Sequence, residues 1–305
     1  MTNLAVPTIV DPRVIEEVVG PSPLRILIRR SVGHVGLIVG ATIILIAVAM
    51  ALFSPWLAPA DPYVQNLSAR FIPPVYMEAG SWTHPLGTDH LGRDYLSRII
   101  YGARISLVVG LCAAMISAVI GVTLGVVAGY FGGWVDSVVT FLITARLATP
   151  VILVALAVAA VIGSSAEMLI LILGLLLWDR FAIVMRSSTQ QIRTIDFVEA
   201  ARVQGCSVPW ILISEIMPNL LNAFIVILTL EIAHAIILEA ALSFLGLGVR
   251  PPLPSWGLMV SEGRESILFD SWLITIPGVF LFLLVLAINL LGDGLRDVLA
   301  PDQRS

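Results

Sequence analysis

Long runs of apolar side chains alternate along this chain with shorter segments rich in arginine, carboxylates, glycine and proline. Crossing ~30 Å of hydrocarbon as a helix takes ~20 apolar residues, because every backbone polar group must be bonded inside the segment. Six stretches meet that requirement: Val35 to Phe53, Ile105 to Phe131, Ser137 to Gly163 with Arg146 inside it, Met168 to about Met185 with Asp179 and Arg180 towards one end, Leu220 to Leu242, and Ser271 to Leu291. The pattern predicts an all-α polytopic membrane protein. Its parts are an N-terminal tail (1–34), a first span (35–53), a loop (54–104), a five-helix core (105–291) holding a polar segment (186–219), and a C-terminal tail (292–305). The tail before the first span is too long and too acidic for a signal peptide, so an uncleaved span is expected even though Ala58-Pro59-Ala60 resembles a cleavage site.

Within the second span Ala113, Ser117, Gly121, Gly125 and Gly129 recur every four residues and line small side chains along one helical face. Another helix can approach closely there, either as a sliding interface or, the favoured reading, as tight static packing.

Composition agrees with the pattern. Of 305 residues 58% are hydrophobic and 12% charged, against about 25% charged in globular domains. Net charge is −4, which leaves no basic footprint for nucleic acid. All 17 cations are arginine. Without lysine the chain has neither a Walker A phosphate loop nor a Schiff-base amine, so any ATP-driven work falls to a partner. Cys112 in an apolar run and Cys206 in a polar segment are not expected to pair.

Six spans place both termini on one side, and arginine distribution chooses the side. Arg13, Arg25, Arg29, Arg30, Arg180, Arg186, Arg193, Arg202, Arg296 and Arg304 fall on the side of the termini; Arg70, Arg93, Arg98, Arg104, Arg250 and Arg264 fall on the other. Cytoplasmic termini are expected. The loops 54–104 and 246–270 are then external and 186–219 cytoplasmic.

The cytoplasmic segment carries helix signals. Asp196 is placed to cap a helix with Glu199 closing a capping box, Gly205 suits a left-handed stop, and Ser207 with Pro209 starts a second helix. Two short helices bent at a glycine form an exposed elbow suited to transmitting force, and an ordinary loop would carry the same signals. Glu199-Ala200-Ala201, Arg202, Gly205 and the later Pro218-Asn219 resemble the "EAA" loop of the membrane subunits of bacterial ABC importers. That resemblance implies a coupling helix at Glu199, Ala200, Ala201, Arg202, Gly205 and Pro218, seated in a cleft of an ATP-hydrolysing subunit.

Four further segments narrow the resemblance to the "C" subunits of dipeptide and oligopeptide importers. They are His84-Pro85-Leu86-Gly87-Thr88-Asp89-His90-Leu91-Gly92-Arg93-Asp94 with Tyr101-Gly102-Ala103-Arg104, Gly129 to Asp136, Glu239 to Gly248 with Pro254-Ser255-Trp256-Gly257, and Gly292 to Asp297. The chain departs from the family pattern at Phe141, Thr144, Glu215, Ile183 and Ala300, where charged or histidine side chains are usual. The resemblance implies a type I-like permease with no cofactor of its own and no enzymatic activity. ATP and Mg would sit on two cytoplasmic ATPase domains, beside a homologous second permease, an external solute-binding protein and a peptide substrate, all in a bacterial inner membrane. Glutathione and nickel chelates are alternative substrates of the same machinery.

His84, Asp89 and His90 could hold a transition metal, but a structured turn capped by Thr88 or Asp89 is favoured, and no metal is expected. Glu231 and His234 share a face in mid-span, where a charge costs ~2.5–3.5 kcal/mol on insertion scales. They are candidates for the substrate pathway, as is Arg146, or for a self-satisfied pair inside the bundle. Asp89, Arg93, Asp94, Glu239 and Trp256 are candidates for an external gate or structural motif. A secondary transporter using Glu231 and His234 as a proton relay is the rival reading, although no repeat relates the halves. A non-transporting membrane scaffold is a third.

Overall fold

The computed structural model describes residues 29–299. Arg13, Arg25, Arg304, Ala300 and most of the predicted N-terminal tail lie outside them. Among the described residues the regular elements are helices, apart from isolated bridges pairing Ser81 with His84 and Thr88 with Asp94.

Helix α1 (Val35–Leu52) starts at His34, whose Nδ1 accepts the Leu37 N–H at 3.1 Å, and is followed by the single turn α2 (Ser54–Leu57). The longest α-helix among the described residues is α3 (Tyr95–Phe131). It begins at Tyr95 rather than Ile105, and its cap is Asp94 rather than Thr88 or Asp89: the Asp94 carboxylate accepts from Ser97 N–H at 2.8 Å and Ser97 Oγ at 2.6 Å. Arg98 and Arg104 end the apolar run in sequence, but charge does not break a helix, and Arg98 is buried against carboxylates here. The loop 54–104 therefore ends at Asp94.

The expected third span is broken. Helices α4 (Gly133–Leu147) and α5 (Val151–Ile162) meet at 80°. Pro150 between them offers no N–H and disfavours helical backbone at Thr149. Helices α6 (Ala166–Leu176) and α7 (Trp178–Ile192) join with only a local distortion at Leu177 to make one 27-residue span, which absorbs Arg186 to Ile192 from the expected cytoplasmic loop. After α8 (Asp196–Val203), α9 (Val208–Trp210) runs through a wide π-type turn at Ile211–Ile216 into α10 (Met217–Phe244). The second expected short helix is thus the start of the fifth span; Pro218, lacking an N–H, sits beside the widened turn. The loop 246–270 contains α11 (Trp256–Gly263), and α12 (Trp272–Leu299) extends well into the expected C-terminal tail. Among the described residues five helices are long and apolar enough to cross a membrane, or six when the bent α4–α5 pair is taken as one span.

Helix α3 is the hub. Its glycine face lies on α7 so closely that a Cβ at Gly125 would stand 2.6 Å from the Ala182 carbonyl and one at Gly129 2.7 Å from the Arg186 carbonyl. Ser117 Oγ donates to the Gly174 carbonyl at 2.8 Å. At the other face α11 wedges between α3, α10 and α12. Within α12 Pro277 has no N–H for the Leu273 carbonyl, and Tyr95 Oη donates to that carbonyl instead, at 2.5 Å. Helix α1 lies along α12, with Gly40 against the Ala287 backbone. Large apolar side chains such as Leu45, Val119, Phe141 and Phe282 remain on the outside, as a lipid-facing surface requires.

Candidate functional site

Three regions carry the chemistry: the elbow, a charged layer in the middle of the bundle, and a buried ionic network beyond the start of α3.

At the elbow, α8 starts from Ile195 without a side-chain cap, so the expected capping box does not form; Asp196 and Glu199 instead lie in the first turn, favourably placed against the helix dipole. Gly205 has φ +82°, the Gly205 N–H donates to the Arg202 carbonyl at 3.0 Å, and the Cys206 N–H donates to the Ala201 carbonyl at 3.1 Å. This is the Schellman ending that a glycine permits. Val198 and Ala201 are buried, whereas Glu199, Ala200, Arg202 and Gly205 are exposed and Val203 is 89% exposed at the tip. The elbow is braced on the C-terminal end of α3. Arg193 Nη1 donates to the Gly129 and Tyr130 carbonyls at 3.0 and 3.1 Å, and the Arg202 guanidinium lies over the Tyr130 ring at 5.0 Å. Cations at a helix C-terminus are stabilising. Arg186 and Asp136 form a two-point ion pair beside them, with Nη2 at 2.7 Å.

In mid-bundle Glu231 is fully buried. Arg180 Nη1 donates to its Oε1 at 3.1 Å, and His234 Nδ1 lies 3.4 Å from its Oε2. The expected Glu231–His234 pair is present, with a partner from α7 that spacing alone does not disclose. Arg146 lies at the α4–α5 break. Its Nε donates to the Leu176 carbonyl at 2.7 Å, Nη2 reaches the same oxygen, Nη1 donates to Thr149 at 3.2 Å, and Asp179 stands 4.0 Å away. Its guanidinium therefore satisfies backbone at two interrupted helices.

Beyond α3's N-terminus, Asp89 is held by Arg93 Nε at 2.6 Å and by Arg98 Nη1. Glu262 of α11 pairs with Arg93 at 3.3 Å and Arg98 at 2.8 Å. Burial pushes the Asp89 carboxyl up, but Arg98, the Arg93 and Leu91 N–H groups and the Arg93 guanidinium outweigh it and hold the group below the usual carboxylate range. His84 pairs with Asp94 at 2.8 Å. The carboxylates and imidazole able to converge are Asp89, His90 and Glu262 rather than His84, Asp89 and His90, and both carboxylates are already matched by arginine. Glu239 Oε1 accepts from Ser243 at 2.8 Å and Ser255 at 3.0 Å, tying α10 to the first turn of α11. Trp256 is almost fully buried. Sequence reasoning left out Glu262 and gave Arg98 no role; Glu262 meets Arg93 across 169 residues, a separation that leaves no local signal.

Residues 121–305 match the family described as binding-protein-dependent transport system inner membrane component, and residues 22–74 match the N-terminal transmembrane domain of oligopeptide transport permease C. The chain belongs to this family of membrane transport components. It is a permease subunit and not itself an enzyme. It is 44% identical over 266 residues, 87% of this chain and 89% of the relative, to the dipeptide transport system permease protein DppC of Escherichia coli K12. It is 38% identical over 281 residues, 92% and 93% of the two chains, to the di/tripeptide permease DppC of Pseudomonas aeruginosa. A putative peptide transport permease of Brucella abortus is 38% identical over 99% of this chain and 98% of its own. Among solved structures, an inward-facing form of the MetNI methionine ABC transporter has a similar fold, with TM-score 0.56 and 18% identity over 66% of this chain and 96% of that one. The all-α ABC importer permease fold expected from the sequence is borne out, as is residence in an inner membrane.

Proposed function

We propose that this permease is one half of the translocation pore of an ATP-driven importer of di- and oligopeptides. The observation that carries the reading is near-full-length similarity to permeases named for peptide transport. A homologous second permease, two cytoplasmic ATPase domains holding ATP and Mg, and an external solute-binding protein complete the machine. Both termini are cytoplasmic, which puts the elbow on the ATPase side.

Closure of the ATPase domains pushes on Glu199, Ala200, Ala201 and Arg202. The push has two stiff routes into the bundle: the Arg193 and Arg202 contacts to the end of α3, and the helical connection from Val208 through Pro218 into α10. Helix α10 carries His234 to the pathway with Glu231 buried behind it, and Glu239 to the external network, which gates access with Asp89, Arg93, Asp94 and Trp256. Arg146 braces the bent α4–α5 span. Glutathione or a nickel chelate would use the same path.

The test is purification of the tagged subunit in mild detergent from its native membrane, with and without Gly205→Asp. Recovery of a second permease and a lysine-bearing P-loop ATPase, lost in the variant, supports the reading. A lone chain that moves solute in liposomes without ATP overturns it in favour of an ion-coupled transporter.

A further inference from the structure

Arg180 and Glu231 stand near the middle of their spans, Ala166–Ile192 and Met217–Phe244, where hydrocarbon is least forgiving of charge. They are not equally hidden. The Glu231 side chain is 0% exposed, while Arg180 is 53% and His234 27% exposed. The buried member is the carboxylate, and the guanidinium is offered outward. Only Nη1 of Arg180 is engaged, at 3.1 Å to Glu231 Oε1, and Arg180 has no other hydrogen bond or ion pair among the described residues. Other charges nearby are already committed, since Asp179 faces Arg146 and Arg146 is bonded to the Leu176 and Thr149 carbonyls.

A guanidinium with most of its donors unused in mid-membrane is stable only where it meets water, protein or an anion, so the face of α7 and α10 that bears Arg180 and His234 cannot be turned to lipid tails. We infer that Arg180 lines the translocation path and binds the carboxylate of the passing substrate, with Glu231 acting as the buried counter-charge that fixes its fork and His234 beside them. This rests on the importer reading above. A guanidinium matches a carboxylate in two-point geometry, and every unmodified peptide carries one such group at its C-terminus whatever its side chains. Recognition here is therefore indifferent to peptide sequence. Glu231 is shielded from the path, so the substrate's amine does not meet it directly, and the chemistry of the site is anion-selective.

The assembled complex, reconstituted in nanodiscs with Cys112→Ser and Cys206→Ser, provides the test. Arg180→Cys is combined with Glu231→Gln so that no buried carboxylate is orphaned, and the thiol is challenged with a membrane-impermeant anionic thiol reagent and with a lipid-soluble maleimide. Labelling by the anionic reagent is the expected result. Labelling by the maleimide alone would place Arg180 against lipid and overturn the inference. In proteoliposomes, Arg180→Gln with Glu231→Gln is expected to lower dipeptide uptake by roughly tenfold or more, the scale of a lost charge-assisted hydrogen bond, while Arg180→Lys, a point charge without the fork, restores only part of it. Undiminished uptake by the neutral pair would show Arg180 to be only a partner for Glu231. If the unaltered complex moves no peptide, the importer reading fails, while the labelling result still decides whether Arg180 faces an aqueous path.

Discussion

The indole Nε1 of Trp256 donates to the Ile99 carbonyl at 2.8 Å across the junction of α11 with α3, and Gly102 one turn along leaves the room for the ring. A Cβ at Gly102 would stand 2.8 Å from Trp256 Cδ1, against the rigid part of a buried side chain. Gly102→Val is therefore expected to expel the indole. Trp256→Ala, which empties the same site, should cost about 3–5 kcal/mol, the usual loss for a large buried aromatic. Thermal midpoints of the detergent-solubilised complex compare the two; equal midpoints for Gly102→Val and the parent would contradict the packing.

Asp89 is the shared counter-charge of Arg93 and Arg98. Its Asn variant leaves both buried cations with Glu262 alone and should lose about 3–5 kcal/mol. The carboxyl's folded pKa lies below its ordinary 3.8, so the ionised group stabilises the fold at neutral pH, and that contribution disappears as pH falls through the folded value. Unfolding followed from neutral to strongly acidic pH should show the gap between parent and Asp89→Asn holding steady, then narrowing below about pH 4. A gap that widened on acidification would refute the assignment.

Tyr95 and Pro277 are predicted to be coupled. Tyr95→Phe removes the donor to the Leu273 carbonyl and should cost about 1–3 kcal/mol, because the proline cannot supply another. Pro277→Ala restores a backbone N–H for that carbonyl, so Tyr95→Phe should cost clearly less in its presence. Additive losses in this double-mutant cycle would show that the hydroxyl bond is not what Pro277 makes room for.

Gly205 adopts φ +82° with open space around its Cβ direction, so its requirement is backbone conformation rather than room. Asn, which tolerates this region, should be the mildest replacement; Ala should cost about 1–2 kcal/mol, and Val more. Substrate-stimulated ATPase activity of the assembled complex should fall in the same order. A different order, with size deciding, would point to a steric role at the partner interface.

At the α3–α7 contact, Gly125→Ala already places a Cβ 2.6 Å from the Ala182 carbonyl and 2.9 Å from Met185 Cβ, so folded yield should drop. Cys112→Ala on the exposed face of the same helix should leave stability within about 0.5 kcal/mol. Size-exclusion profiles of the two variants make the comparison.

What the amino-acid order determined by itself was local. Spans were legible because the hydrocarbon demands ~20 consecutive apolar residues, a property of one segment at a time. The Gly205 stop was legible because positive φ is a single-residue preference, and the small-residue face of α3 because helical period alone aligns Gly121, Gly125 and Gly129. Tertiary structure decided the rest. It set the start of α3 at Tyr95, because Arg98 can be buried there only with Asp89 and Glu262 around it. It turned the third span through 80° and gave Arg146 the freed carbonyl of Leu176, 30 residues away. It also brought Arg180 to Glu231 across 51 residues and Arg93 to Glu262 across 169. A buried charge needs a partner, but the partner is whichever opposite charge the packed helices bring within reach, and that depends on faces meeting in space rather than on spacing along the chain.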